Sequence, residues 1–153
     1  MTTERHIEAE PPWLAIARKE IGVAEIPGAT NNPRILAYHA CTTLHATDEV
    51  TSWCSGFVSF VMLQAGLLST RSAAARSWLT YGIPLQAPIR GAICVFERPE
   101  AGPKAGHVGF ALDHHSSTML ELLSGNCDNA VKIKLYPKAR LLGVRWPEIP
   151  HTP

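Results

Sequence analysis

Cys54 sits at the head of an apolar run, Trp53-Cys54-Ser55-Gly56-Phe57-Val58, that continues to Ala65 and stops at Gly66. Phe57, Val58, Val61, Met62 and Ala65 recur at helical spacing. Cys54 precedes the first two by three and four residues, so it shares their inward face. A thiol on the first turn of a buried helix is a candidate nucleophile. The positive end of the helix dipole favours a thiolate there, and Thr51 or Ser52 can cap the exposed N–H groups. The expectation is a Cys54 thiol of depressed pKa, and the competing reading is a free cysteine that only fills core space. A thiolate that cleaves an amide needs a base that takes its proton and later returns it to the leaving amine, a task suited to histidine. Of the seven histidines, His6 and His151 lie in tails, His39 and His45 near or in a loop, and His114-His115 in a hairpin turn. His107 differs, because it begins an apolar strand between Gly106 and Gly109, which leave room for another element or a substrate. If the hairpin turns about His115-Ser116, position 107 faces position 124, and residues 124 and 126 project to the side of His107. That nominates Asn126 as the acceptor orienting the imidazole. A one-residue slip would nominate Glu121, and turn chemistry beside Gly125 is the alternative for Asn126.

The elements that must hold these groups are legible in order. Pro11-Pro12 starts a helix with Trp13, Ile16, Ala17 and Ile21 on one face and Gly22 at its end. Asn32-Pro33 reads as N-cap and first residue of a short helix carrying Ile35, Leu36 and Tyr38. Cys41 to Ser52 is a loop, and Cys54 to Ala65 is the nucleophile's helix. Ser72 to Tyr81 is helix-compatible and stops at Gly82. Strands are expected over Ile89–Phe96, His107–Leu112, Thr118–Leu123, Val131–Leu135 and Leu141–Trp146, with Ser124-Gly125-Asn126 breaking the third run. Helices first and antiparallel strands afterwards make an α+β domain, helices packed on one face of the sheet.

Composition narrows the possible partners. A chain of 153 residues with 46% hydrophobic content fits one domain, residues 1–153, with a polar, aperiodic and flexible stretch over 1–10. A formal net charge of +1 without charge runs argues against nucleic acid. No run approaches a membrane span, and the first ten residues lack the apolar core of a signal peptide, so synthesis and initial residence in the cytoplasm are expected. Cys41, Cys54, Cys94 and Cys127 show no CxxC spacing, which argues against a metal site; all four are expected as thiols, and no cofactor is implied. Trp13, Trp78 and Trp146 read as core or cleft wall.

Taken together, Trp53-Cys54-Ser55-Gly56-Phe57-Val58, Ala74-Ala75-Arg76-Ser77-Trp78, Gly106-His107-Val108-Gly109-Phe110, Ser124-Gly125-Asn126 and Gly143-Val144-Arg145-Trp146-Pro147 resemble the small cysteine peptidases of bacterial cell walls. That group is the NlpC-type and CHAP superfamily, and the likeness runs from about Pro12 to Pro147. It implies a papain-like fold with Cys54 as nucleophile, His107 as base and Asn126 as orienting residue, cutting amide bonds of peptidoglycan peptides. Trp53, Ser55, Gly106 and Arg76 are the weaker candidates for substrate contacts. The chain departs from the pattern in three places. Gly91-Ala92 stands where Gly-Asp usually opens the strand before the histidine, removing a polar anchor expected under the site. Cys127 stands where Gln is common, and Thr51-Ser52 replaces the usual Pro before Trp-Cys. Expected for such a wall hydrolase are a monomer, delivery machinery such as a phage or an injecting bacterium supplies, and, for an injected toxin, an immunity protein. Two other classes stay open: a catalytically silent binding or assembly module of the same fold, and a papain-like deamidase or transpeptidase acting on proteins.

Overall fold

The computed structural model describes residues 10–27, 31–43 and 52–149. Residues 1–9 and most of the 41–52 loop therefore lie outside the described residues. Helix α1, Pro12–Lys19, starts on a proline and buries Trp13, Leu14 and Ala17. Ile21 falls beyond its end and is exposed. Helix α2, Pro33–His39, begins as its Asn-Pro pair predicts: Asn32 Oδ1 accepts the Arg34 N–H at 2.8 Å.

Helix α3, Cys54–Gln64, has nine consecutive buried residues from Cys54 to Met62, so it has no outward face along that length. Helices α1 and α2 pack on it from one side and the sheet from the other, the arrangement an all-apolar helix requires. Gly56 permits the close approach of α2, since a Cβ there would lie 2.8 Å from Tyr38 O. The Ser72–Tyr81 stretch, expected as a helix, contains one 3-10 segment, Ala75–Thr80.

The sheet has six strands: β1 Ile83–Pro84, β2 Ile93–Glu97, β3 Gly106–His115, β4 Met119–Cys127, β5 Ala130–Pro137 and β6 Leu141–Trp146. All are antiparallel, in the order β1-β6-β2-β3-β4-β5. Phe57, Val61, Val95, Val108, Phe110 and Leu123 fill the space between helices and sheet. Ala92, Cys94, Phe96, Ala111, Leu120 and Leu122 form a second cluster on the other face. The chain is thus an α+β domain with helices on one face of an antiparallel sheet. No described helix is long and apolar enough to cross a membrane.

Strand β4 corrects the expected break at Ser124-Gly125-Asn126, because it runs through these residues to Cys127. Glycine serves packing here rather than a turn: a Cβ on Gly125 would sit 2.7 Å from Phe57 Cβ and 2.9 Å from Trp53 Cζ3. Its absence lets β4 press against the start of α3. The hairpin pairs Phe110 with Leu123 and Ala111 with Leu122, two residues away from the expected register, and an irregularity before His115 carries the pairing two residues further, to Leu120. A shift of two keeps every side chain on its expected face.

Candidate active site

The first turn of α3 is pinned into the core on both sides of Cys54. Trp53 is fully buried; its indole N–H donates to Glu25 Oε2 at 2.9 Å and its ring stacks on Tyr38. Ser55 is fully buried as well, donating to Ser72 O at 2.6 Å and accepting the Trp78 indole N–H at 2.8 Å. Both side chains are committed to the scaffold and neither faces a cleft, contrary to their expectation as substrate contacts. The Cys54 thiol, 2% exposed, lies near the N–H of Val108 in β3, the Ser52 hydroxyl and the N–H of Ser55, each of which favours its anion. Ser52 in turn accepts Asn126 Nδ2–H at 3.2 Å. The helix end is therefore not built as expected. Trp53 holds the N-cap position without a side-chain bond, Ser52 turns its hydroxyl to the sulfur, and Thr51 lies outside the described residues.

His107, the second residue of β3, pairs with Phe96 and shares its face of the sheet, away from the helices. The sulfur of Cys54 thus meets β3 at the backbone N–H one residue along from the imidazole. Ring nitrogen Nε2 of His107 lies 2.8 Å from Ser124 Oγ and 3.0 Å from Tyr136 Oη. The Tyr136 ring stacks on the imidazole at 5.0 Å between centroids and 14° between planes, and its hydroxyl donates to Cys127 Sγ at 3.3 Å. Gly109 makes this possible. A Cβ there would lie 2.6 Å from Ser124 Cβ and 2.8 Å from Leu123 O, so the bare backbone lets β4 bring Ser124 in beside the ring.

Asn126, expected on the imidazole, has its amide on Ser52 instead. Its φ of 55° takes it out of the strand's alternation and turns it to the nucleophile's side of the site. Tyr136 was not among the residues expected. Extending the Val131–Leu135 alternation by one residue would have placed it, with Lys132 and Lys134, on the face of Ser124 and His107. Gly106 and Arg76 support the approach to His107: Arg76 Nε–H donates to Ala105 O at 3.0 Å, and a Cβ on Gly106 would come within 3.2 Å of Arg76 Cγ. Position 92 is no anchor under the site. Ala111 N donates to Ala92 O, just before β2 and four residues from the Phe96–His107 pair, and Ala92 is buried in the apolar cluster on the face away from the helices.

Burial sets the protonation of the pair. It pushes the Cys54 thiol above the ordinary cysteine value, against the lowering pull of the Val108 N–H, the Ser52 hydroxyl and the Arg98 charge. This reverses the expectation of a depressed pKa, because desolvation of a 2% exposed sulfur outweighs the donors at the helix start. Burial also lowers His107, helped by the charges of Arg98 and Lys134, to about 4. At neutral pH both the Cys54 thiol and the His107 imidazole are therefore uncharged. A cleft of about 220 Å³ opens over His107, lined also by Asn126, Cys127, Tyr136, Arg98 and Lys134. Such an arrangement suits a nucleophile deprotonated only as it attacks, rather than a preformed ion pair.

Comparison of the chain with models of protein families and with curated proteins finds no match.

Proposed function

We propose that the chain is a papain-like cysteine amidase or endopeptidase that hydrolyses amide bonds in peptidoglycan peptides. The observation that carries the proposal is a buried thiol on the first turn of a helix that meets β3 at Val108, the residue after an imidazole whose Nε2 is occupied by two hydroxyls. The thiol proton passes to the other ring nitrogen as sulfur attacks the amide carbon. The N–H of Cys54, without an acceptor inside the helix, is available to the developing oxyanion. Collapse of the tetrahedral intermediate breaks the C–N bond, the imidazolium gives its proton to the leaving amine, and a thioester remains. Water, deprotonated by the same imidazole, releases the acid and restores the thiol.

The substrate class rests on the resemblance of the cysteine, histidine and closing motifs to the cell-wall peptidases. That substrate lies outside the cytoplasmic membrane, and were the chain an injected toxin, an immunity protein covering the cleft would neutralise it. The silent-module reading draws on one observation, the near-complete burial of Cys54. Growth curves separate the two. Behind an added secretory signal the chain is expected to lyse its host, and Cys54→Ala is expected to abolish lysis. A well-exported wild type that leaves growth unchanged would refute the hydrolase and favour the silent module.

A further inference from the structure

We propose that Ser124, Tyr136 and Cys127 form a one-way hydrogen-bond chain that fixes the tautomer of His107, with the Cys127 sulfur as terminal acceptor. The inference deepens the reading of His107 as general base and rests on it for its catalytic consequence. All the members meet on the sheet face away from the helices, where Tyr136 lies between Phe96, at 5.3 Å between ring centroids, and the imidazole. Counting donors decides the direction. Tyr136 O–H donates to Cys127 Sγ at 3.3 Å, which leaves the phenol oxygen as an acceptor. Ser124 is fully buried, and its hydroxyl and the phenol oxygen both lie on Nε2, at 2.8 and 3.0 Å. With the phenol hydrogen on Cys127, the hydrogen between Nε2 and Tyr136 Oη is the ring's own, so Nε2 carries the ring proton and Ser124 Oγ, 2.8 Å away, accepts from it as well. The bond made at one ring nitrogen settles the state of the other, and Nδ1 keeps the lone pair that a general base needs.

Each link matters because the chain runs in the opposite sense as soon as one acceptor is lost. Without the Cys127 sulfur, the Tyr136 hydrogen turns to Nε2, the ring proton moves to Nδ1, and the base is blocked. Without the Tyr136 hydroxyl, Nε2–H loses that acceptor and the Ser124 hydroxyl is free to donate to Nε2 instead. Ser124, Tyr136 and Cys127 are thus positioning residues, acting on the reaction only through His107.

The test reads the tautomer directly. Long-range proton–nitrogen correlation spectra of the ¹⁵N-labelled full chain at pH 7 report it, the His107 signals being identified by their loss in His107→Gln. The wild type is expected to show the Nε2–H form. Tyr136→Phe and Cys127→Ala should each move the tautomer ratio toward Nδ1–H by about fivefold or more, the worth of one neutral hydrogen bond. Cys127→Ser, which keeps an acceptor of similar size, should restore the wild-type ratio, and Glu121→Gln should leave it untouched. Activity should follow the tautomer through kcat with KM unchanged. An Nδ1–H wild type, or a ratio that neither Tyr136→Phe nor Cys127→Ala moves, would overturn the proposal. The spectra need no substrate, so an Nε2–H chain in a protein inert toward cell walls would sink the hydrolase reading and leave the hydrogen-bond chain standing.

Discussion

Lowering the pH from 7 to 4 should destabilise the protein through His107 in a way that can be measured against a single variant. The ring is 5% exposed and its folded pKa is about 4, against 6.5 for a solvated histidine. Between these values the unfolded chain binds a proton that the folded chain refuses, so stability rises with pH across that window. The contribution is complete above pH 6.5 and is lost as the pH falls through 4. The gap, converted at about 1.4 kcal/mol per pH unit, amounts to ~3 kcal/mol. Other groups titrate over the same range, and a difference between two proteins removes most of them. Urea unfolding of the wild type and of His107→Gln, whose amide N–H can still reach Ser124 Oγ, should be compared at several pH values from 7 to 4. The wild type is expected to lose ~3 kcal/mol more than the variant over that range. Parallel curves for the two proteins, or a His107 ring titrating near 6.5 in the folded state, would refute the argument that burial and the charges of Arg98 and Lys134 hold the imidazole neutral. The same neutrality should appear in catalysis, as an acid limb of kcat/KM near pH 4 instead of 6.5.

Gly109→Ala should lower stability by about 1–3 kcal/mol, or Tm by roughly 5 °C for a chain of this length, because the new Cβ would meet Ser124 Cβ, Leu123 O and Leu122 Cδ2 all inside 3 Å. Thermal unfolding checks it, and an unchanged Tm would mean that β4 yields without strain. Iodoacetamide should label Cys54 slowly at pH 7, with a rate that climbs as the pH is raised, since its thiol pKa is raised rather than depressed. Peptide mapping by mass spectrometry follows the label, and fast labelling of Cys54 at pH 6 would restore the ion-pair picture. Cys94, buried and pushed up to about 12, should stay unlabelled in the native protein throughout.

Much of the scaffold was legible because it follows from local chemistry. The Asn32-Pro33 cap, the helix at Cys54 and the last strand, Leu141–Trp146, stand where composition and periodicity put them. The site was legible down to the two strands that meet at His107 but not to the bonds between them. The alternation rule put Ser124 on the side of His107, and Asn126 was nominated because amides orient imidazoles. The structure gives that place to Ser124 and Tyr136, since the positive φ at Asn126 turns its side chain away, and no sequence pattern reveals a left-handed residue inside a strand. Ser124-Gly125-Asn126 looked like a turn because breakers are read locally, whereas Gly125 answers to Phe57 and Trp53, distant in sequence. The sign of the Cys54 shift was missed for a related reason. The helix start that stabilises a thiolate can be read from spacing, while the burial that opposes it depends on three layers of tertiary packing.

The central claim, that Cys54 and His107 hydrolyse amide bonds of the cell wall, is tested most directly by mass spectrometry of muropeptides released from purified sacculi. Digestion with the wild-type protein is expected to yield a new amine and a new carboxylate at one defined peptide bond, with the glycan chains intact, and the products should vanish with Cys54→Ala and with His107→Gln. Muropeptide profiles identical with and without the wild-type protein, or cleavage that persists in Cys54→Ala, would contradict it.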